Sequence, residues 1–364
     1  MSTNLFAGAN TPIGFVDFFN NIMPVTDAKT RLFLKGSSGS GKSTLMKKIA
    51  NMFEKRGLDV ERFYCSNDIE SLDAIAVPSI GLSIIDATAP HSHDPEIAIA
   101  IDKVLDCAQF IDENKLGLYL DELKSLSVAK KLLSKKISSY LSAIGGMYEA
   151  HNNAFEGSLD KFALKKHVHK CLDTLFADAQ TDLQNVRFGH CRKLFLSAVT
   201  PDGFISFADS FFKNSTVYGV SCDVGIGVNI FFDELKNLAI TRGINVTCFY
   251  NPISPALIEY LYFPQISTVF ARTDGRFAYD GTCDKTVVLN DCIDREILEA
   301  VSVFEPDCDL FDRLLNHTVS AMCCARKLHA RTEEIYVPTM DFDSLNRATE
   351  TIMQDLLLLC DARD

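Results

Sequence analysis

The chain has 364 residues, 47% of them hydrophobic, with 36 basic against 48 acidic side chains and a formal charge of -12. That length suits two domains or three small ones, and the apolar share is enough for real cores. The acidic balance argues against a broad phosphate-backbone surface, so DNA or RNA is not an expected partner. Nowhere do about 18 apolar residues run together, and the opening MSTNLFAGANTP lacks the basic start and apolar core of a signal peptide. A cytoplasmic protein with no membrane association is expected.

In chain order, a Leu-Phe strand and a Thr-Pro-x-Gly-Phe turn open the sequence, and Arg31-Leu32-Phe33-Leu34-Lys35 reads as a short buried strand. Then comes GSSGSGKST, Gly36 to Thr44, which fits the phosphate-cradling pattern G-x-x-x-x-G-K-[ST]. Chance would give that pattern in only about one chain in a hundred of this length. Leu45, Ile49 and Phe53, with Met46 and Ala50 beside them, give a helix to about residue 56, so strand, loop and helix follow in the required order. Gly36, Gly39 and Gly41 carry no Cβ, which lets the N–H groups of the loop, including those of Ser37, Ser38 and Ser40, converge on phosphate oxygens at a helix N-terminus. Lys42 would reach the β and γ oxygens, the Ser43 hydroxyl would ligate Mg2+, and Thr44 would touch the α-phosphate. ATP is the expected nucleotide.

A strand near 59 to 65, a short helix and a strand at 80 to 85 follow. The last ends as Ile84-Ile85-Asp86, a carboxylate placed either for magnesium and its water or as an ordinary strand-end turn acid. Beyond it, Ala87 to Pro95 forms a polar loop at the carboxyl end of the strand, where open α/β sheets place ligands. His91 there is a candidate for the attacking water or an acceptor, with a hydrogen-bonded loop histidine as the alternative; His91-x-His93 could hold a metal only with a third ligand. Asp68 is the second choice as metal acid. The twelve cysteines are scattered, without a C-x-x-C pair, and read as core residues in a reducing compartment. Cys65, nearest the loop, is either packing or a reactive thiol.

From about Glu96 to Leu183 the pattern turns helical. Leu126, Leu133, Ile137, Tyr140, Ile144 and Met147 mark one amphipathic helix, and Leu164, Val168, Cys171, Leu172 and Leu175 another, expected to pack together as a hairpin. Lys130, Lys131, Lys135, Lys136, Lys165, Lys166 and Lys170 alternate with them as a solvated face or a surface for a partner, self-association or an acidic ligand. His167 and His169 lie about 200° apart on the helix and cannot hold one ion together.

The chain also repeats itself. LFAGANTPIGFVDFF from Leu5 matches LFLSAVTPDGFISFA from Leu194, a shift of 189 (194 minus 5), and KRGLDVERFY from Lys55 faces TRGINVTCFY from Thr241 at 186. Ser142-Ala143 and His151 mirror Ser320-Ala321 and His329. Two copies are therefore read, 1 to 189 and 190 to 364. In the second, Lys42 becomes Val228, Ser43 becomes Asn229, Gly36 becomes Cys222, Asp86 becomes Arg272 and His91 becomes Phe277, whereas Asp94 is matched by Asp280. Valine cannot neutralise phosphate, so the second copy keeps the scaffold without the ligand.

With the loop, the repeat and the phrase IIDATAPHSHDP together, the chain resembles a family of uncharacterised bacterial tandem P-loop proteins described as ATP-binding or ATPase-like. The resemblance spans nearly the whole sequence. It implies an α/β fold of two tandem P-loop NTPase-like copies, each a mainly parallel sheet with helices and a helical hairpin, and a site made by Gly36 to Thr44, Asp86, Thr88, His91 and Asp94. Val228 departs from the family's pattern, in which the second half also tends to carry a glycine-lysine loop. The expected activity is Mg-dependent ATP hydrolysis at the first copy, with small-molecule or nucleotide phosphorylation and a nucleotide-dependent protein switch as alternatives. An arginine finger would have to come from the second copy, where Arg272 is the candidate, or from another chain.

Overall fold

Six strands of the first half form one sheet, and the buried strand that precedes the glycine loop is among them. In the computed structural model, residues 2–88, 93–154, 156–176, 188–223, 225–301 and 308–361 are described. The first half runs β1 (Ser2–Leu5), a hairpin of β2 (Gly8–Thr11) and β3 (Gly14–Asp17), β4 (Thr30–Lys35), α1 (Lys42–Lys55), β5 (Val60–Cys65), β6 (Asp68–Val77), β7 (Leu82–Asp86) and β8 (Asp102–Asp106). It continues with the helices α2 (Glu113–Gly117), α3 (Leu120–Ala154) and α4 (Lys161–Leu175). The sheet order is β1-β5-β6-β7-β4-β8, and every strand is parallel to the rest except β6, which is antiparallel to both neighbours.

Two of these strands differ from the sequence expectation. Where a short helix was expected, β6 makes a hairpin with β5 through a tight turn at Ser66 and Asn67, pairing Cys65 with Asp68. Its run Ala74 to Val77 is buried on both faces, so it carries no alternation to read. β8 lies in the stretch read as helical. Asp-Lys-Val-Leu-Asp shows neither period, and a tertiary interaction holds it: Arg31 donates to both Asp102 carboxylate oxygens at 2.6 and 2.8 Å and to Glu96 at 3.1 Å. A forked, buried pair of this kind fixes geometry as well as charge. Arg31 holds the Asp102 carboxyl below its usual range, and backbone N–H groups of Ile97 and Glu96 add to the effect.

The second half repeats the plan with β9 (Cys191–Leu194), β10 (Ser197–Thr200), β11 (Gly203–Ser206), α5 (Ala208–Phe212), β12 (Thr216–Ser221), α6 (Ile226–Thr241), β13 (Val246–Asn251), β14 (Ser254–Phe263), β15 (Thr268–Arg272) and β16 (Lys285–Val288). Its helices are α7 (Arg295–Val301), α8 (Cys308–Tyr336) and α9 (Phe342–Asp361). The sheet order β16-β12-β15-β14-β13-β9 matches the first strand for strand. The chain is thus a mixed α/β protein with two six-stranded, mainly parallel sheets. At their junction Phe6 and Phe195, counterparts in the repeat, donate N–H groups to each other's carbonyls at 3.0 Å both ways. Such a reciprocal contact is what a pseudo-two-fold arrangement produces. The sheet faces turned away from α1 and α6 share one core, including Phe33, Phe63, Ile85, Phe212, Phe249 and Val269.

The helices behave differently from the expected hairpins. α3 pairs with α8 instead of α4: Glu122 meets Arg331 and Tyr140 stacks on His317, so the two run antiparallel. α4 lies on α6 of the other half, where Leu164, Val168 and Leu172 share a core with Phe231, Phe232 and Leu235. In return α9 lies on α1, and Leu356 joins the core of Leu45, Ile49 and Phe53. Backbone bridges at Leu159–Ile293 and Ile111–Met340 pin the two exchanges in equivalent places. Each half therefore lends its helices to the other. Among the described residues no helix is long and apolar enough to cross a membrane.

Leu164→Ala is expected to lower stability by about 2–5 kcal/mol, the range for an emptied leucine site, measurable as a shifted urea midpoint. Amide exchange should accelerate first in α6 and β12; acceleration centred on α1 would contradict the exchange.

Candidate functional site

β4 ends at Lys35 and α1 begins at Lys42, so residues 36–41 bridge the carboxyl end of an interior strand and the N-terminus of a 14-residue helix. Gly39 and Gly41 sit at φ 77° and 85°, the left-handed region that a side chain makes unfavourable. Gly41 caps α1 without a side-chain hydrogen bond, and no acidic residue stands in the first turn, so the positive end of the helix dipole is aimed at the loop. The Lys42 side chain is 9% exposed and curls beneath the loop, where its amine donates to Gly36 O at 2.6 Å, to Ser37 O at 2.9 Å and to Ser40 Oγ at 3.4 Å. Ser40 in turn donates to Ser37 O at 2.7 Å. The buried Ser37 hydroxyl has no partner among the described residues. Thr44 is exposed on the first turn.

The other expected residues take distinct places. Asp86 ends β7, next to β4, and uses its two oxygens separately: Oδ1 accepts the Thr88 N–H at 2.9 Å, and Oδ2 lies 3.6 Å from the Lys42 amine. It is both turn acid and loop-facing acid. The Ser43 hydroxyl accepts the Leu72 N–H at 3.0 Å, which leaves its own proton and a second lone pair. Thr88 donates to Gly36 O at 2.9 Å and braces the loop. Asp94 is exposed, 3.5 Å from Lys35. Asp68 closes its own turn through Ser71 at 2.6 Å. His91 lies outside the described residues, and His93 packs on Phe19 and stands 3.6 Å from Asp17. Burial, with Asp73 nearby, pushes the Cys65 thiol well up, which argues against the reactive reading.

Asp73 was not found by sequence reasoning. It is buried on β6, one residue beyond the Ala74–Ile85 pair and at the position skipped where Phe63 pairs with Ala74 and Tyr64 with Leu72. The repeat held the signal, because its counterpart is Glu259, an acid at the same place in an apolar strand.

In the second half Arg272 takes the role that Lys42 plays in the first. Its guanidinium donates to Gly225 O at 2.8 Å, to Asn229 Oδ1 at 2.8 Å and to Asp274 Oδ1 at 2.6 Å. The arginine fills its own copy's degenerate loop with all three nitrogens engaged, so the expectation that it could serve the first loop as a finger is not met. Beside it, burial raises the Glu259 carboxyl to about 8, against the pull of the Ser197 hydroxyl at 2.6 Å and of Arg272. Elsewhere, His167 meets Asp291 at 2.9 Å with Cys292 adjoining, a group that could hold a metal far along the chain from the loop.

No family model matches the chain, and neither the curated proteins nor the solved structures yield a match.

Glu259 gives a pH signature. Between the ordinary value of 4.5 and about 8 the folded chain holds a proton that the unfolded chain releases, so this group's contribution to stability falls as pH rises through that window. Glu259→Gln should flatten the decline in urea midpoint between pH 5 and pH 8; an unchanged slope would place the proton elsewhere.

Proposed function

We propose that the first half binds ATP with Mg2+ at Gly36 to Thr44 and hydrolyses it slowly, while the second half is a non-catalytic scaffold. One observation carries this reading: Lys42 and Asp86 converge on an uncapped helix N-terminus, whereas the equivalent space in the second half is filled by Arg272. Phosphate oxygens can replace the Gly36 and Ser37 carbonyls as partners of the Lys42 amine, and the N–H groups around Gly39 and Gly41 supply further donors. Ser43 and Asp86 offer a hydroxyl and a carboxylate, the oxygen donors that Mg2+ prefers, directly or through water. The ion would neutralise charge developing on the terminal phosphate. His91 remains the sequence's candidate for orienting water.

A nucleotide-dependent switch is the second reading, and the cover of the loop favours it. A Cβ built at Gly39 would meet Val337 at 3.1 Å and Glu333 at 3.3 Å, and one at Gly41 would meet Leu345 at 2.8 Å. Helices from the other half therefore lie directly on the loop. A nucleotide that moved them would change the surface shown to a partner.

Lys42→Ala should abolish ATP binding or reduce phosphate release by about 10²-fold or more, the scale for losing one main charge-stabilising donor. Asp86→Asn should reduce Mg2+-dependent turnover more than nucleotide binding. Phosphate release without an acceptor supports hydrolysis, ADP formation only with an added metabolite points to phosphorylation, and tight binding with negligible turnover points to the switch. Unaltered nucleotide affinity in Lys42→Ala would overturn the site.

A further inference from the structure

The loop is faced by side chains from α3 and α8 that neither the motif nor the strand-end acid includes. His329, on α8, stands with Nδ1 3.3 Å from the Ser38 hydroxyl, inside the loop itself. Glu333, one turn on, stands 3.6 Å from His329 and has its Cα 3.3 Å from where a Gly39 Cβ would be. Lys130, on α3, lies within electrostatic reach of both. Among the described residues Lys130 makes no hydrogen bond or ion pair. Burial draws its amine below the usual lysine value, with Glu333 opposing. His329 is likewise held down, by burial first and by Lys130 and Lys42, against Glu333 and Asp68. Two cationic or protonatable nitrogens thus sit partly out of water, which a bound anion would relieve.

The repeat adds an independent argument. Along α3 and α8 the copies are offset by 178, as His151 and His329 show (329 minus 151). At that offset Lys130 corresponds to Cys308 and Glu333 to Phe155. In the aligned sequence the charges of Lys130 and Glu333 are absent from the other copy, whereas the histidine is kept as His151.

We propose that Lys130 and His329 bind the terminal phosphate of a nucleoside triphosphate at the first glycine loop, completing from outside the loop the charge neutralisation that Lys42 begins within it, with Glu333 positioning both. This rests on the nucleotide reading above. It makes the site composite: α3 and α8 must be packed on each other for the two nitrogens to meet the loop, and a diphosphate would leave them without their ligand. The groups discriminate ATP from ADP.

The test is equilibrium binding of ATP and ADP with Mg2+ to the full chain, for the parent and for Lys130→Met, Lys130→Arg, His329→Gln and Lys42→Ala, each checked for native circular dichroism. Lys130→Met and His329→Gln should each weaken ATP about tenfold, roughly 1.4 kcal/mol, and leave ADP within about twofold. Lys130→Arg should restore most of the preference. If Lys42→Ala loses both nucleotides while Lys130→Met and His329→Gln keep the parent's ATP-to-ADP ratio, this inference falls and the loop assignment stands. If Lys42→Ala binds both as the parent does, the nucleotide reading itself falls. Should a variant lose its native spectrum, Lys130→Gln and His329→Asn replace it with the same expectations.

Discussion

The structure depends on two amphipathic helices that neither half can cover alone. α1 and α6 each lie on a sheet with one apolar face and keep a second flank of apolar groups that water would touch. Leu356 and its neighbours on α9 close over α1, and Leu164, Val168 and Leu172 on α4 close over α6. Each fully buried leucine of this kind stabilises by roughly 1.5–3 kcal/mol, so a few of them on each side are comparable with the whole stability of an ordinary domain. The reciprocal Phe6–Phe195 hydrogen bonds and the α3–α8 pair then follow from placing the halves so that both debts of exposed surface are met at once. Cooperative unfolding of the two halves is the natural consequence.

That arrangement brings the second half's helices to the first half's loop, and so ties chemistry to architecture. The loop's own residues hold Lys42 in a web of carbonyls, but the groups above it, Ser38's partner His329 and the nearby Glu333, come from almost three hundred residues away in the chain. On the other side Arg272 reaches Gly225 and Asn229 within its own copy. One arginine there pairs with the polar groups of its loop as Lys42 does with Gly36 O and Ser37 O, and it is further tied to Asp274. The asymmetry of the two copies is electrostatic and also conformational: Gly39 and Gly41 are left-handed, whereas Gly225 is right-handed and Gly227 lies within α6.

How legible this was can be judged residue by residue. β4, the glycine loop and α1 were readable because strand, loop and helix are local, and the period of Leu45, Ile49 and Phe53 survives in the sequence. β6 was not, since a strand buried on both faces has no alternation, and β8 was not, since an Arg31–Asp102 pair across 71 positions holds a strand with no pattern of its own. The helix faces were located correctly and given the wrong partner: an apolar stripe states that something must cover it and does not say what. Asp73 was hidden in an apolar run, although the Glu259 counterpart pointed to it.

By itself the sequence determined the duplication, the local backbone of the glycine loop and the loss of its lysine in the second copy, because identities and short-range periods decide these. Only the tertiary structure decided which half covers which, that Arg272 reaches its own loop, and that His329 and Glu333 stand at the first. Those facts depend on which buried faces and charges find each other across long stretches of chain, and pairing over such distances leaves no local trace.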